Sequence, residues 1–384
     1  MTAVRIRFAA MLAAALVAAG LVLPARAASL ETIGKQAILV DLSTNTILFE
    51  KNADQRMAPS SMSKLMTLYM VFEALKEGRL SFDHTLPVSE RAWRMQGSKM
   101  FVELNNTIKV LDLIKGVIIQ SGNDACIVLA EGLAGSEQAF AEKMNKRLKE
   151  IGLKDSNLIN ATGWPDPNHY MTARDLSVLA ERLIRDFPEY YYLFSEKEFT
   201  YHGIKQGNRN PLLYRNTAGV DGLKTGHTEV AGYGLTASGE REGRRLVLVI
   251  NGLPSMQARA DETTRLLEWG FREFNAYALF RAGDTIEEVP VWLGAQDKVA
   301  VTVPKDLKVT MARVDRPNMK VTLVANQPVA APIKKGDTVG KLVISAPGAP
   351  SKEVPVVAAT DVEKLGFVGR AFAAAKYLVF GAGS

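Results

Sequence analysis

The sequence predicts an α+β fold: an antiparallel sheet with helices on one face and a helical subdomain, then a small all-β domain and an amphipathic C-terminal helix. Two alternating strands precede a long helical stretch, and three more strands with one long helix follow it. After about residue 280, short β-like runs recur with Pro and Gly between them. The length of 384 residues suits two or three domains, and 47% apolar residues suffice for a full core.

Taken in order, residues 1–27 read as an export signal. Arg5 and Arg7 form a positive start, an unbroken apolar run follows, and "ARA" at 25–27 is a small-x-small cleavage site. The alternative is an uncleaved membrane helix; the small-residue site favours cleavage. An alanine-rich signal without organelle features suggests a bacterial periplasm. Removing Arg5, Arg7 and Arg26 takes the net charge from +6 to +3, too mild for nucleic acid, and no basic run is interleaved with aromatics. The single cysteine, Cys126, allows no internal disulfide and reads as a buried small hydrophobe.

"KQAILVDLSTNTILFEKN" at 35–52 predicts a β-hairpin around "STN". A helix follows from near Ser61, with Met62, Leu65, Tyr69 and Phe72 on its core face and Ser60 as a candidate cap. Residues 110–186 are mostly helical. Strands return at "GVDGLKT", "GYGLTASG" and "RRLVLVING", and "ARADETTRLLEWGFREF" predicts a long amphipathic helix. The resulting domains are 28–278, a β-rich 279–360, and 361–384. In the last, Leu365, Val368, Phe372 and Val379 share one helical face with lysines at its flanks. That suits a helix lying in a bilayer surface; the alternative is a helix packed on its own β domain.

No "GxSxG", "HExxH", cysteine pair or phosphate loop is present, and the four histidines show no ligand spacing. No metal or cofactor is expected. A serine hydroxyl needs a base within hydrogen-bond reach. Ser61 and Lys64, in "SMSK", stand at i and i+3 on one helix face. A serine at a helix start also offers its backbone N–H to a developing anion. Burial and a neighbouring cation would lower the lysine pKa and keep it neutral. Ser61–Lys64 is the single Ser-x-x-Lys pair, but such a pair arises by chance about once in a chain this long. Alone it does not separate a nucleophile from a cap.

Two further motifs do. "SGN" supplies Ser121 and Asn123 at a helix–helix loop, and "KTG" supplies Lys224, Thr225 and Gly226 on a strand. Ser-x-x-Lys, Ser-x-Asn and Lys-Thr-Gly together are the signature of penicillin-binding proteins and serine β-lactamases. The rival "STN" at 43–45 is a hairpin turn. With "QSGNDAC", "VDGLKTGHT", "NRN" and "LLEWG", the whole mature chain resembles a low-molecular-mass penicillin-binding protein. The class is the D-alanyl-D-alanine carboxypeptidases with a β-lactamase/transpeptidase-like domain and a trailing β domain.

The resemblance implies that Ser61 is acylated and that Lys64 takes its proton. It implies that Ser121 relays a proton to the leaving D-alanine, and that Asn123 holds the peptide backbone. Lys224 supplies positive potential; the strand at 224–227 aligns the substrate. The N–H groups of Ser61 and His227 form the oxyanion hole, and Thr225 and Arg259 hold the terminal carboxylate. For Arg259 the alternative is a solvated helix charge; Arg209 lines the cleft or serves a turn. "RAWRMQGSKMF" is shorter than its counterpart in some members, which bears on substrate preference. The implied partners are the peptidoglycan stem peptide, β-lactams and the membrane surface. A D,D-endopeptidase and a non-catalytic peptidoglycan-binding scaffold remain as alternatives. A class A-like β-lactamase would need a deacylating glutamate, and none stands out between "SGN" and "KTG".

Overall fold

A computed structural model describes residues 30–369 and 371, apart from 216, 218 and 348. The export signal, and the tail helix beyond 371, lie outside the described residues.

Strands β1 (Gln36–Asp41) and β2 (Thr46–Lys51) form the predicted hairpin. A 3-10 turn at Ser60–Ser63 leads into helix α1 (Lys64–Lys76). Two short hairpins flank the helical part: β3 (Thr85–Pro87) with β4 (Thr107–Lys109), and β5 (Glu198–Tyr201) with β6 (Ile204–Gly207). Between them run α2 (Asn123–Ala134), α3 (Glu137–Glu150) and α4 (Ala173–Asp186). Strands β7 (Val220–Thr228), β8 (Gly232–Arg241) and β9 (Arg244–Leu253) then complete an antiparallel sheet of order β2-β1-β9-β8-β7, and α5 (Met256–Glu273) follows.

Alternation along the strands divides the core. Ile38, Val247 and Val249 join the apolar cluster built with the helical part. Leu39 and Leu246 point the other way, where α5 meets them at Gly270; a Cβ there would lie 2.7 Å from Leu39. Helices therefore cover both faces, not one. Helix α1 packs against α2, α3 and α4 and is buried nearly all round, beyond the single predicted face.

The second domain starts earlier than the predicted break after 278, which cuts a strand. β10 (Phe274–Phe280) leaves α5 directly and pairs with β13 (Leu307–Ala312). The remaining strands are β11 (Glu287–Trp292), β12 (Lys298–Thr302), β14 (Lys320–Ala325), β15 (Val329–Ala330), β16 (Thr338–Ala346) and β17 (Ala349–Ala358). Their sheet order is β14-β16-β17-β12-β11-β15. The tail helix does not begin at Asp361. Val362 bridges Ile333 and is buried in the β core, and Lys364 bridges Gly294. Helical backbone starts only at Phe367, which is exposed, as is Val368.

One buried ion pair ties the two domains. Asp41 at the end of β1 accepts from Arg244 Nε at 2.6 Å and from Thr310 Oγ1 of β13 at 3.0 Å. Arg244 also donates to the Gly270 and Phe274 carbonyls, so one guanidinium holds the sheet, the end of α5 and the start of β10. Removing one partner of a buried pair strands the other charge, at about 3–5 kcal/mol. Arg244→Met should therefore lower the thermal midpoint markedly, and Asp41→Asn/Arg244→Met less than the two single losses combined. Calorimetry of the four proteins checks this.

Candidate active site

The Ser60–Ser63 turn is 3-10, not α, and in that geometry residues i and i+3 eclipse. Lys64 Nζ thus lies 2.8 Å from Ser61 Oγ. The same nitrogen donates to Asn123 Oδ1 at 2.7 Å and to the Thr162 carbonyl. Three separate segments meet at one ammonium that is fully buried. Burial lowers the Lys64 pKa to about 8, and the Arg209 charge adds to the lowering.

Ser60 is not the cap. Pro59 holds the N-cap position without a side-chain bond, and Ser60 sits at φ +50°, with its hydroxyl 3.3 Å from Thr228 Oγ1. Ser63 is occupied too: its hydroxyl donates to the Ser60 carbonyl at 2.9 Å. Of the three serines, Ser61 is the one that touches Lys64 and is partly open to solvent.

Asn123 opens α2. Its Nδ2 donates to the Gln96 carbonyl and its N–H to the Ser98 carbonyl, which anchors the loop predicted to be short. Asp124, fully buried, accepts from the N–H groups of Met100, Phe101, Val102 and Ala125. Ser121 follows a π-helical turn, Gly116–Gln120, in left-handed backbone at φ +64°. Its Oγ is buried and has no hydrogen-bond partner. A buried hydroxyl left unpaired costs about 1–3 kcal/mol, a cost that a bound partner would remove.

Strand β7 is the sheet edge beside the Ser60–Ser63 turn. Lys224 is 1% exposed, and its Nζ donates to the Thr225 carbonyl at 3.3 Å. Burial, then the Lys64 and Arg209 charges, hold its pKa well below the ordinary lysine value. A Cβ on Gly226 would lie 2.8 Å from the Pro59 carbonyl and 3.3 Å from the Met62 nitrogen, so only glycine lets β7 approach the turn. His227 is exposed and stacks on Tyr233, with ring centroids 3.9 Å apart. Arg259, in the first turn of α5, is 7% exposed rather than solvated, and it lies over the same tyrosine at 5.7 Å. Its Nε is buried without a partner, and burial lowers its pKa to about 10. Arg209 donates to Ser98 Oγ at 2.7 Å from the cleft rim. Cys126 is buried, and its thiol is pushed up to about 12, as a small hydrophobe would be.

Sequence reasoning missed the Thr162 carbonyl, Asp124 and His169. The Thr162 carbonyl is presented by a turn that Asn160 gathers, its Oδ1 accepting from Thr162, Gly163 and Trp164 N–H groups. "NATGW" carries that turn signal in Asn and Gly.

The arrangement has the parts for acyl transfer: a hydroxyl on a buried, low-pKa amine, with cations around it. Residues 24–255 match the family described as D-alanyl-D-alanine carboxypeptidase, and 274–364 match the penicillin-binding protein 5 C-terminal domain. The chain is 38% identical over 338 residues to D-alanyl-D-alanine carboxypeptidase DacA of Haemophilus influenzae, covering 87% of this chain and 86% of that one. It superposes on penicillin-binding protein 5 of the same organism with a TM-score of 0.80 at 37% identity, covering 87% and 99%. Penicillin-binding protein D2 of Listeria monocytogenes, in its ampicillin-bound form, matches with a TM-score of 0.58 at 31% identity, covering 63% and 99%.

The Gly226 contact is directly testable. Gly226→Ala should push β7 off the Pro59–Met62 backbone, and a displacement of about 1 Å costs on the order of 100-fold in rate. The rate at which an acylating probe labels the protein measures this; an unchanged rate contradicts it.

Proposed function

The chain belongs to the D-alanyl-D-alanine carboxypeptidase family, and we propose that its reaction runs through an acyl-enzyme on Ser61 with Lys64 as the base. It is a serine-type D,D-carboxypeptidase. The observation that carries the residue assignment is the 2.8 Å contact between Ser61 Oγ and an amine whose pKa burial has lowered to about 8. No imidazole competes for that role among the described residues. His227 is exposed on Tyr233, and His169 bonds to Ser63.

In the proposed sequence, neutral Lys64 takes the hydroxyl proton as Ser61 Oγ attacks the carbonyl of the penultimate D-alanine. The oxyanion is met by the N–H groups of Ser61 and His227. The proton passes by way of Ser121 to the nitrogen of the departing D-alanine, and the C–N bond breaks. The unpaired Ser121 hydroxyl supports this relay, since it has hydrogen-bond capacity to spare. Water then cleaves the ester and Ser61 regains its proton. Lys224 supplies positive potential, and Asn123 and the β7 edge hold the extended peptide by strand addition. Thr225 and Arg259 take the terminal carboxylate. A buried guanidinium with an unpaired Nε supports that choice, because a carboxylate would satisfy it. No cofactor is required by this sequence of steps.

The substrate in this reading is the peptidoglycan stem ending in D-Ala-D-Ala, and a β-lactam acylates the same serine. The ampicillin-bound relative supports the second point. We further read residues 1–27 as an export signal and 361–384 as carrying a membrane-surface anchor, which would hold the enzyme in the periplasm at the outer face of the inner membrane. Exposed Phe367 and Val368 at the start of the tail support the anchor.

Intact-protein mass spectrometry with penicillin tests the assignment. Wild type should gain the mass of one β-lactam, and Ser61→Ala none. D-alanine release from a pentapeptide should fall on the order of 10³-fold or more in the variant. An adduct on the variant, or none on wild type, contradicts it.

A further inference from the structure

His169 is buried, and the mechanism above does not use it. Its Nδ1 accepts from the Ile159 N–H at 3.1 Å, which assigns the ring proton to Nε2. Nε2–H then donates to Ser63 Oγ at 3.1 Å, and Ser63 Oγ donates to the Ser60 carbonyl at 2.9 Å. Every donor in this chain has one acceptor, so its direction is fixed from Ile159 to Ser60.

The chain ends on a particular peptide group. The Ser60 carbonyl and the Ser61 N–H belong to the same planar unit and point opposite ways. Whatever holds the oxygen aims the hydrogen. The peptide needs holding, because Ser60 occupies left-handed backbone at φ +50°, a costly state for a residue other than glycine. Gly163 crowds the same oxygen: a Cβ there would fall 2.1 Å from it and 2.8 Å from Ser63 Oγ. Ser60 Oγ is tied to Thr228 on β7.

We propose that His169, acting through Ser63, is a positioning residue that sets the Ser60–Ser61 peptide plane and so aims the Ser61 N–H at the oxyanion. This rests on the acyl-enzyme reading above. A hydrogen bond accepted by the carbonyl also polarises the amide and strengthens its N–H as a donor. The imidazole does this as a neutral group: burial pushes its pKa down to about 4.

The experiment uses Ser63→Ala, His169→Leu and His169→Gln, the last keeping an amide donor and acceptor. A β-lactam is the probe. Stopped-flow acylation separates non-covalent binding from the acylation step, and infrared difference spectra report the ester carbonyl of the acyl-enzyme. Loss of the aimed N–H should slow acylation about tenfold to a hundredfold in Ser63→Ala and His169→Leu without weakening non-covalent binding. It should also move the carbonyl band to higher wavenumber, because a weaker donor polarises the C=O less. His169→Gln should recover both. A carbonyl band identical to wild type in Ser63→Ala and His169→Leu overturns the proposal, even if thermal midpoints fall. Failure of wild type to form any acyl-enzyme removes the parent reading and this one with it.

Discussion

A single buried ammonium organises this site. Lys64 Nζ is hydrogen-bonded to Ser61 on its own turn, to Asn123 at the head of α2 and to the Thr162 carbonyl. An ammonium has three donors, and here three acceptors from three segments use them. The cost of burial is what matters chemically. Removing a charge from water favours the neutral amine, and a neutral amine can take a proton from the neighbouring hydroxyl. The hydrogen bonds that fasten the segments favour the charged form, burial favours the neutral one, and burial is the larger effect.

Other cations reinforce this. Lys224 is as deeply buried as Lys64, and Arg209 and Arg259 stand within electrostatic reach. The Lys64, Arg209 and Arg259 charges disfavour the charge on Lys224, and the Arg209 charge disfavours the one on Lys64. A carboxylate placed among them would offset this repulsion. In the proposed reaction, recognition of a free C-terminus and activation of Lys64 would then draw on one field. The scaffold keeps the cluster tight through small residues at points of contact. Gly226 lets the β7 edge reach the Ser60–Ser63 turn, and Asp124 ties the 100–102 backbone to the first turn of α2.

Much of this was legible in the sequence because it is local or patterned. Ser61 and Lys64 are three residues apart, "SGN" and "KTG" are contiguous, and the five main strands alternate or run apolar. What escaped is long-range or carried by backbone. The Thr162 carbonyl has no sequence identity to read. His169 matters through Ser63, 106 positions away. The family resemblance points to Arg259, but by pattern alone it looks like any charge on an amphipathic helix until α5 lies against β8, with Arg259 over Tyr233. The β5–β6 hairpin buries only Tyr201 and Gln206, and its signal is the left-handed His202–Gly203 pair rather than an apolar run. At the other end, Val362 belongs to the β core, so the segment predicted as helical from residue 361 starts as a bridge.

Direct titration of Lys64 is the sharpest test of this account. With lysines labelled at Cε, its resonance is the one lost in Lys64→Arg. Burial lowers the folded pKa of a base, so the charged form should dominate below the midpoint and the neutral form above it. A midpoint near 8 is expected, leaving roughly one-tenth of the amine neutral at pH 7. A midpoint at 10.5 or above, the ordinary lysine value or higher, would contradict it.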